Sequence, residues 1–181
     1  MNRSLANKSI NLAFDVFDSK SIESVIAELE EYKSHLSDMM ERFVKELCEA
    51  GLAVAQRALD DGRGDSPKGK GHAELSISDP TKQGSAVEMR INFSGDSILF
   101  IEFGAGIYFN NGNANPKAAE FGMGVGTYPG QKFAINPGYW WYKGEDDKLH
   151  FSRGTEAAMP MYKASLEVMR KAEQIAKRTF W

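Results

Sequence analysis

Apolar side chains fall at every second position near the start of the chain. Ile10, Leu12, Phe14 and Val16 alternate with Asn11, Ala13 and Asp15, and that period predicts a strand over residues 10–17. Asp18, Ser19 and Ser21 then offer side-chain oxygens to the unpaired amides of a first helical turn. From there the spacing changes to alternate steps of three and four. Ile22, Val25, Leu29, Tyr32, Leu36, Met39, Phe43 and Leu47 form one stripe, which predicts a long helix over 19–59. Gly51 stands inside it and predicts a bend or break there.

Residues 60–72 hold glycines, Pro67 and charged or small polar residues, with no large apolar side chain, and predict a mobile loop. Alternation returns at Ala73, Leu75 and Ile77, and again at Val87, Met89, Ile91 and Phe93. Asp79-Pro80 and Gly84 supply a turn between these two strands. Ser94-Gly95-Asp96-Ser97 reads as a second tight turn, leading into Ile98-Leu-Phe-Ile-Glu-Phe103. That run is apolar on both faces apart from Glu102, so a central strand covered on both sides is expected over 98–103.

Glycine, asparagine and proline dominate residues 104–138, a stretch too long for an idle connection. Tyr139-Trp-Trp-Tyr142 and Lys148-Leu-His-Phe-Ser152 then predict a hairpin turning over 144–147. The last element is a helix within 155–180, with Tyr162, Leu166, Met169, Ala172, Ala176 and Phe180 on one face. Pro160 suits its first turn. The pattern as a whole predicts a single α+β domain over 1–181. A mainly antiparallel sheet within 73–152 packs against a long N-terminal helix and a C-terminal helix.

Composition narrows the classes. The chain has 181 residues, 42% of them hydrophobic, and a net charge of −3. These are ordinary globular values, with enough length to bury a core. No apolar run reaches the roughly 18 residues of a membrane span. Asn11 and Asp15 interrupt the apolar run near the N-terminus, unlike a signal-peptide core, so a soluble cytoplasmic protein is expected. Cys48 is the single cysteine, which rules out an internal disulfide and a cysteine-based zinc site. Charge is also distributed unevenly. Residues 18–49 carry nine Asp and Glu against four Lys and Arg, whereas residues 163–178 carry five Lys and Arg against two Glu.

Candidate chemistry is sparse. Gly122, Gly124 and Gly126 resemble a phosphate-cradling loop, but Thr127-Tyr-Pro-Gly130 follows and opens no helix, and no Lys-Ser/Thr pair is present. His35, His72 and His150 lie far apart in sequence and show no metal-ligand spacing. His150 with Ser152 and Asp146 or Asp147 suggests a hydrolytic triad in residue type only, since no nucleophile elbow accompanies it. Glu102 is either a tuned acid–base carboxylate or a structural one, at a sheet rim or paired with a cation of the basic last helix. Arg63-Gly64-Asp65, within Gly-Arg-Gly-Asp-Ser-Pro, matches an integrin-binding tripeptide in a loop whose composition produces such matches by chance. Trp140 and Trp141 must point to opposite faces of their strand. One of them, together with Phe180 and Trp181 at the chain end, is expected to anchor an interface.

Three stretches together resemble a known family. They are residues 25–58 of the long helix, the Ile98–Gly106 run with its Glu-Phe-Gly step, and residues 122–161. The last of these carries Gly-x-Gly-x-Gly-Thr-Tyr, the aromatic ribbon and the segment from His150 through Arg153-Gly-Thr to Pro160-Met161. The family is the gene-product-ten-like tail-component proteins of long-tailed bacteriophages and prophages, also known as minor capsid or tail completion proteins. Residues 60–72 and 108–120 have no counterpart in it. The resemblance implies a virion protein at the head–tail joint, made in the cytoplasm of the bacterial host, with no catalytic residues, cofactor or metal. It implies connector or neck proteins and tail-tube or tail-terminator proteins as partners. Copies of the chain would form a six- or twelve-fold ring around the channel through which DNA passes. Interface positions expected on this basis are Glu102, Phe103, Gly104, Gly122, Gly124, Gly126, Trp140, Trp141, Phe180 and Trp181. The alternatives are a small enzyme using Glu102 or His150, and an adhesion module using Arg63, Gly64 and Asp65.

Overall fold

The computed structural model describes residues 13, 15, 17–62, 73–84, 86–95, 98–104, 115–123, 140–143, 146–152 and 156–181, and of residues 62, 140, 142 and 152 the backbone alone. The fold is α+β, and among the described residues it has three two-stranded antiparallel sheets and two long helices. The single sheet expected over 73–152 is therefore replaced by three small ones.

Helix α1 spans Ser19–Gly62, 44 residues or about 66 Å. The Asp18 carboxylate accepts the Lys20 amide and the Ser21 hydroxyl accepts the Asp15 amide, so the polar cluster starts the helix as its residue types predict. The helix outruns its expected end and takes in residues 60–62. Arg63, Gly64 and Asp65, with the rest of the expected loop, lie outside the described residues. So do most positions of the strand expected over 10–17. Of the three described, none is in a strand, and Phe17 sits in a turn closed by the Asp18 amide on the Asp15 carbonyl.

Gly51 does not break α1, which runs on through it. It is buried, and a Cβ there would stand 2.8 Å from Ile91 Cδ1 and 2.9 Å from Val168 Cγ2. The glycine is a point of close approach rather than a hinge. Helix α3, Pro160–Phe180, runs antiparallel to the C-terminal half of α1, since Phe43 packs on Phe180 at 5.5 Å while Gly51 faces Ala164 and Val168. The core between them is built of small residues. Ala55, Ala58, Ala73, Ala157, Ala158 and Ala164 are buried, around the fully buried Leu59 and Pro160. Small side chains let the backbones approach and leave little apolar volume to lose. The acidic and basic helices thus face each other within one chain, and Arg178 hydrogen-bonds Glu46 across the seam.

Strands β1 (Ala73–Ile77), β2 (Thr81–Gln83), β3 (Ala86–Glu88) and β4 (Ile91–Gly95) form one long interrupted hairpin. Ala73 pairs with Gly95 and Ile77 with Ile91, then Thr81 pairs with Glu88 and Gln83 with Ala86. The expected second strand over 87–93 is split in two, and β2 occupies part of the expected turn. Pro80 has no amide to give to a ladder, so pairing lapses beside it. Ser78 bridges the gap: its amide donates to the Arg90 carbonyl and its hydroxyl accepts the Arg90 amide, both at 2.9 Å. Lys82 ties the hairpin to α1 through Glu41 at 2.9 Å and Asp38 at 3.7 Å.

The expected central strand over 98–103 is a short helix, α2, Ile98–Phe103. A six-residue apolar run has no period that separates a buried strand from a buried helical turn. Here the helical spacing turns Glu102 and Phe103 inward and leaves Leu99 and Phe100 exposed. Gly104, at φ 71°, ends the helix by donating its amide to the Phe100 carbonyl. Strands β5 (Trp140–Lys143) and β6 (Leu149–Ser152) form the third sheet, the hairpin that the aromatic pattern predicts.

Candidate functional site

The most highly organised polar group is the Glu102 carboxylate. Helix α3 starts at Pro160, which brings no amide, behind Met159 in a left-handed conformation with no side-chain cap. The next two amides would be orphans. Glu102 takes both: Oε2 accepts the Met161 amide at 2.8 Å and Oε1 the Tyr162 amide at 2.9 Å. The Asn115 side-chain amide adds a 2.9 Å bond to Oε1 and reaches the Glu102 carbonyl at 3.3 Å. The Ala158 amide donates to the Ile101 carbonyl, pinning the approach to α3 against α2. Glu102 therefore belongs neither to a sheet rim nor to an ion pair with a lysine or arginine of α3. It is a helix cap supplied from a distant element, negative charge at the positive end of the helix dipole.

Asn115 organises the next segment as well. Its Oδ1 accepts the Lys117 amide and its carbonyl accepts the Ala118 amide. The turns that follow close on Gly122 at φ 65°, with Met123 donating to Ala118 and Gly122 to Ala119, a Schellman arrangement. Gly122 is thus a turn-ending glycine; Gly124 and Gly126 lie outside the described residues. Asn115, the amides of Met161 and Tyr162, and the close approach at Gly51 carry much of the organisation, and the residue pattern pointed to none of them. The one available signal is Asn115 itself, a residue type suited to opening a turn.

On the β5–β6 hairpin, His150 Nε2 lies 2.7 Å from Asp146 Oδ1, so one pair of the conceivable triad is formed. Both side chains are part-exposed at the hairpin end, and the contact from His150 holds the Asp146 carboxyl below its ordinary value. Ser152 pairs by backbone with Trp140 two rungs away. On the other face of the hairpin Trp141 and Phe151 sit opposite each other in an edge-on contact at 5.4 Å. Trp141 is 55% exposed, and Leu149 on the same face is exposed too. Trp141 and Leu149 thus present exposed apolar surface on one face of a two-stranded ribbon.

The remaining expected interface residues separate into two groups. Glu102, Phe103 and Gly104 are buried inside the chain, and Phe180 is part-buried against Phe43. Gly122 and Trp181 are exposed, Trp181 at 82%. A second apolar surface is the stripe of Ile22, Ile26, Leu29, Tyr32 and Leu36, exposed along the N-terminal half of α1. A groove of about 270 Å³ between α1 and α3 is lined by Glu46, Glu49, Lys171, Gln174 and Arg178 among others. Its charges are of both signs, Arg178 is engaged with Glu46, and no histidine, serine or cysteine lines it. Among the described residues no three His, Cys, Asp or Glu side chains gather as metal ligands, and no helix is long and apolar enough to cross a membrane. No protein-family model, curated protein or solved structure matches the chain.

Proposed function

We propose that this chain is a structural virion protein of the head–tail joint of a long-tailed bacteriophage or prophage, a tail completion component working by protein–protein contact. The reading starts from the resemblance of residues 25–58, 98–106 and 122–161 to the gene-product-ten-like family. The observation that carries it is the exposure of Trp141, 55% open on the β5–β6 hairpin with its ring edge-on to Phe151, inside the third of those stretches. A rigid aromatic pair on a ribbon is the kind of surface that anchors an interface. Connector or neck proteins and tail-tube or tail-terminator proteins are the proposed partners, with copies of the chain arranged in a six- or twelve-fold ring around the DNA channel. Among the described residues the most buried carboxylate, Glu102, is taken up in capping α3, which suits a protein that is not an enzyme.

Light scattering and electron microscopy of the purified chain, alone and mixed with a head–tail connector, test this. Docking is expected with the wild type. Trp141→Ala should keep the fold and weaken docking by about 2 kcal/mol or more, the scale of an aromatic hot spot. Docking indifferent to that change, or an enzymatic turnover abolished by His150→Ala, would overturn the proposal.

A further inference from the structure

The stripe along α1 is packed over one half of its length and largely exposed over the other. From Met39 onward it enters the core, with Met39 buried and Phe43 on Phe180. From Ile22 to Leu36 it is exposed at every position but the part-buried Val25, Leu29 at 44%, although the spacing is unchanged. Written as a heptad, Ile22, Leu29 and Leu36 take position a, and Val25 and Tyr32 take position d.

Charge placement identifies what can cover it. Residues 19–38 are acidic, with Glu23, Glu28, Glu30, Glu31 and Asp38 against Lys20 and Lys33. In that register Glu23, Glu30, Glu31, Asp38 and Lys20 all fall on the outer positions b, c and f. The charges that flank the stripe are Glu28 at position g and Lys33 at position e. In a parallel pair of helices, position g of one copy meets position e of the next heptad on the other. Glu28 then meets Lys33 of the second copy, twice by symmetry, and no like charges meet across the seam. An antiparallel pair with Leu29 against Tyr32 would set Lys33 against Ile26 instead. Neither Glu28 nor Lys33 forms a salt bridge to any described residue of its own chain.

We infer that the exposed stripe of α1 between Ile22 and Leu36 pairs with the same stripe of a second copy of this chain, parallel and in register, with Glu28 of each copy against Lys33 of the other. The inference goes beyond the head–tail reading and does not rest on it, because pairing is measured on the chain alone and docking is not. Five core positions make a short seam, so the pair forms and dissociates with concentration instead of being permanent.

Sedimentation equilibrium on the full chain over a concentration series should show a reversible monomer–dimer equilibrium. Leu29→Glu, at an exposed position that leaves the α1–α3 core untouched, should abolish the dimer while circular dichroism stays that of the wild type. Glu28→Lys should weaken pairing about tenfold by setting like charges opposite each other, and adding Lys33→Glu should restore it. Val25→Cys should cross-link two copies on oxidation if they are parallel. In the antiparallel pair these positions stand about 16 Å apart along the axis, beyond disulfide reach. A chain monomeric at every soluble concentration, its stripe left to a different protein or to its own chain, would overturn the inference. So would a dimer indifferent to Leu29→Glu, a double charge reversal that fails to rescue, or no cross-link at Val25→Cys.

Discussion

Glu102 and Met161 are 59 residues apart in sequence, and the carboxylate of the first accepts the backbone amide of the second at 2.8 Å. With Tyr162 bound by the other oxygen, one side chain of α2 closes the first turn of α3. Glu102→Gln replaces one acceptor oxygen with a donor, which then confronts an amide it cannot bond. The expected cost is about 2–3 kcal/mol of folding stability, from a lost charge-assisted bond and an orphaned buried donor. Asn115→Ala should cost less, about 1 kcal/mol, because it removes a supporting bond while leaving the cap. Urea denaturation of the three proteins checks the order, and a Glu102→Gln variant as stable as wild type would contradict the capping role.

Gly51→Ala sets helix propensity against packing. Alanine is favoured by about 1 kcal/mol inside a helix. Its Cβ would meet Ile91 Cδ1, the movable end of a side chain, and Val168 Cγ2, whose χ1 a helix holds stiffly. The contact with Val168 decides the sign, and a net loss of about 1 kcal/mol is expected. Thermal melts should show Gly51→Ala rescued in part when Val168→Ala is added, a coupling absent if Gly51 were a hinge.

Asp146 provides a pH-dependent contribution. The hydrogen bond with His150 depresses its folded-state pKa against the opposing effect of burial, and the Lys148 amide assists. A group depressed in this way stabilises the hairpin above its unfolded pKa, and that contribution is lost as pH falls through the folded value. Carboxyl NMR should place the Asp146 titration below the ordinary carboxylate range, and His150→Ala should return it upward.

Cys48 should react slowly. Burial raises its thiol pKa and the neighbouring Glu49 carboxylate raises it further, so little thiolate exists near neutral pH and reagent cannot reach it. Alkylation of the native chain is expected to be slower than in denaturant by on the order of a hundredfold or more, limited by local opening around Cys48. Equal rates would show that Cys48 is not shielded in the folded chain.

Elements with a strong period were legible from the residues. The helix over 19–59 and the helix within 155–180 each present a stripe, and Pro160 marks where the second begins. The aromatic hairpin was legible because Trp140–Lys143 and Leu149–Ser152 are separated by turn residues. Residues 98–103 were misread because six apolar residues carry no period, and 87–93 because Pro80 on the opposite strand breaks the ladder for both. The site was less visible than the fold. Glu102 stood out as a carboxylate among apolar residues, but beside Asn115 its partners are main-chain amides, which have no residue type to recognise. Trp141 was legible as a surplus aromatic, whereas Phe103 and Gly104 belong to the interior.

Because α1 is one uninterrupted helix, its projecting half extends a helix that the packed half has already begun. Starting a helix is the costly step, and the half packed on α3 has already taken it. Helical order is propagated outward from Phe43 toward Ser19 through hydrogen bonds that nothing else need initiate. Amide exchange should therefore form a gradient, slowest near Leu59 and progressively faster toward the tip, rather than two separate classes. Anything that grips the tip slows exchange all along the projecting turns, so occupancy of the exposed stripe can be followed residue by residue without a label on the partner.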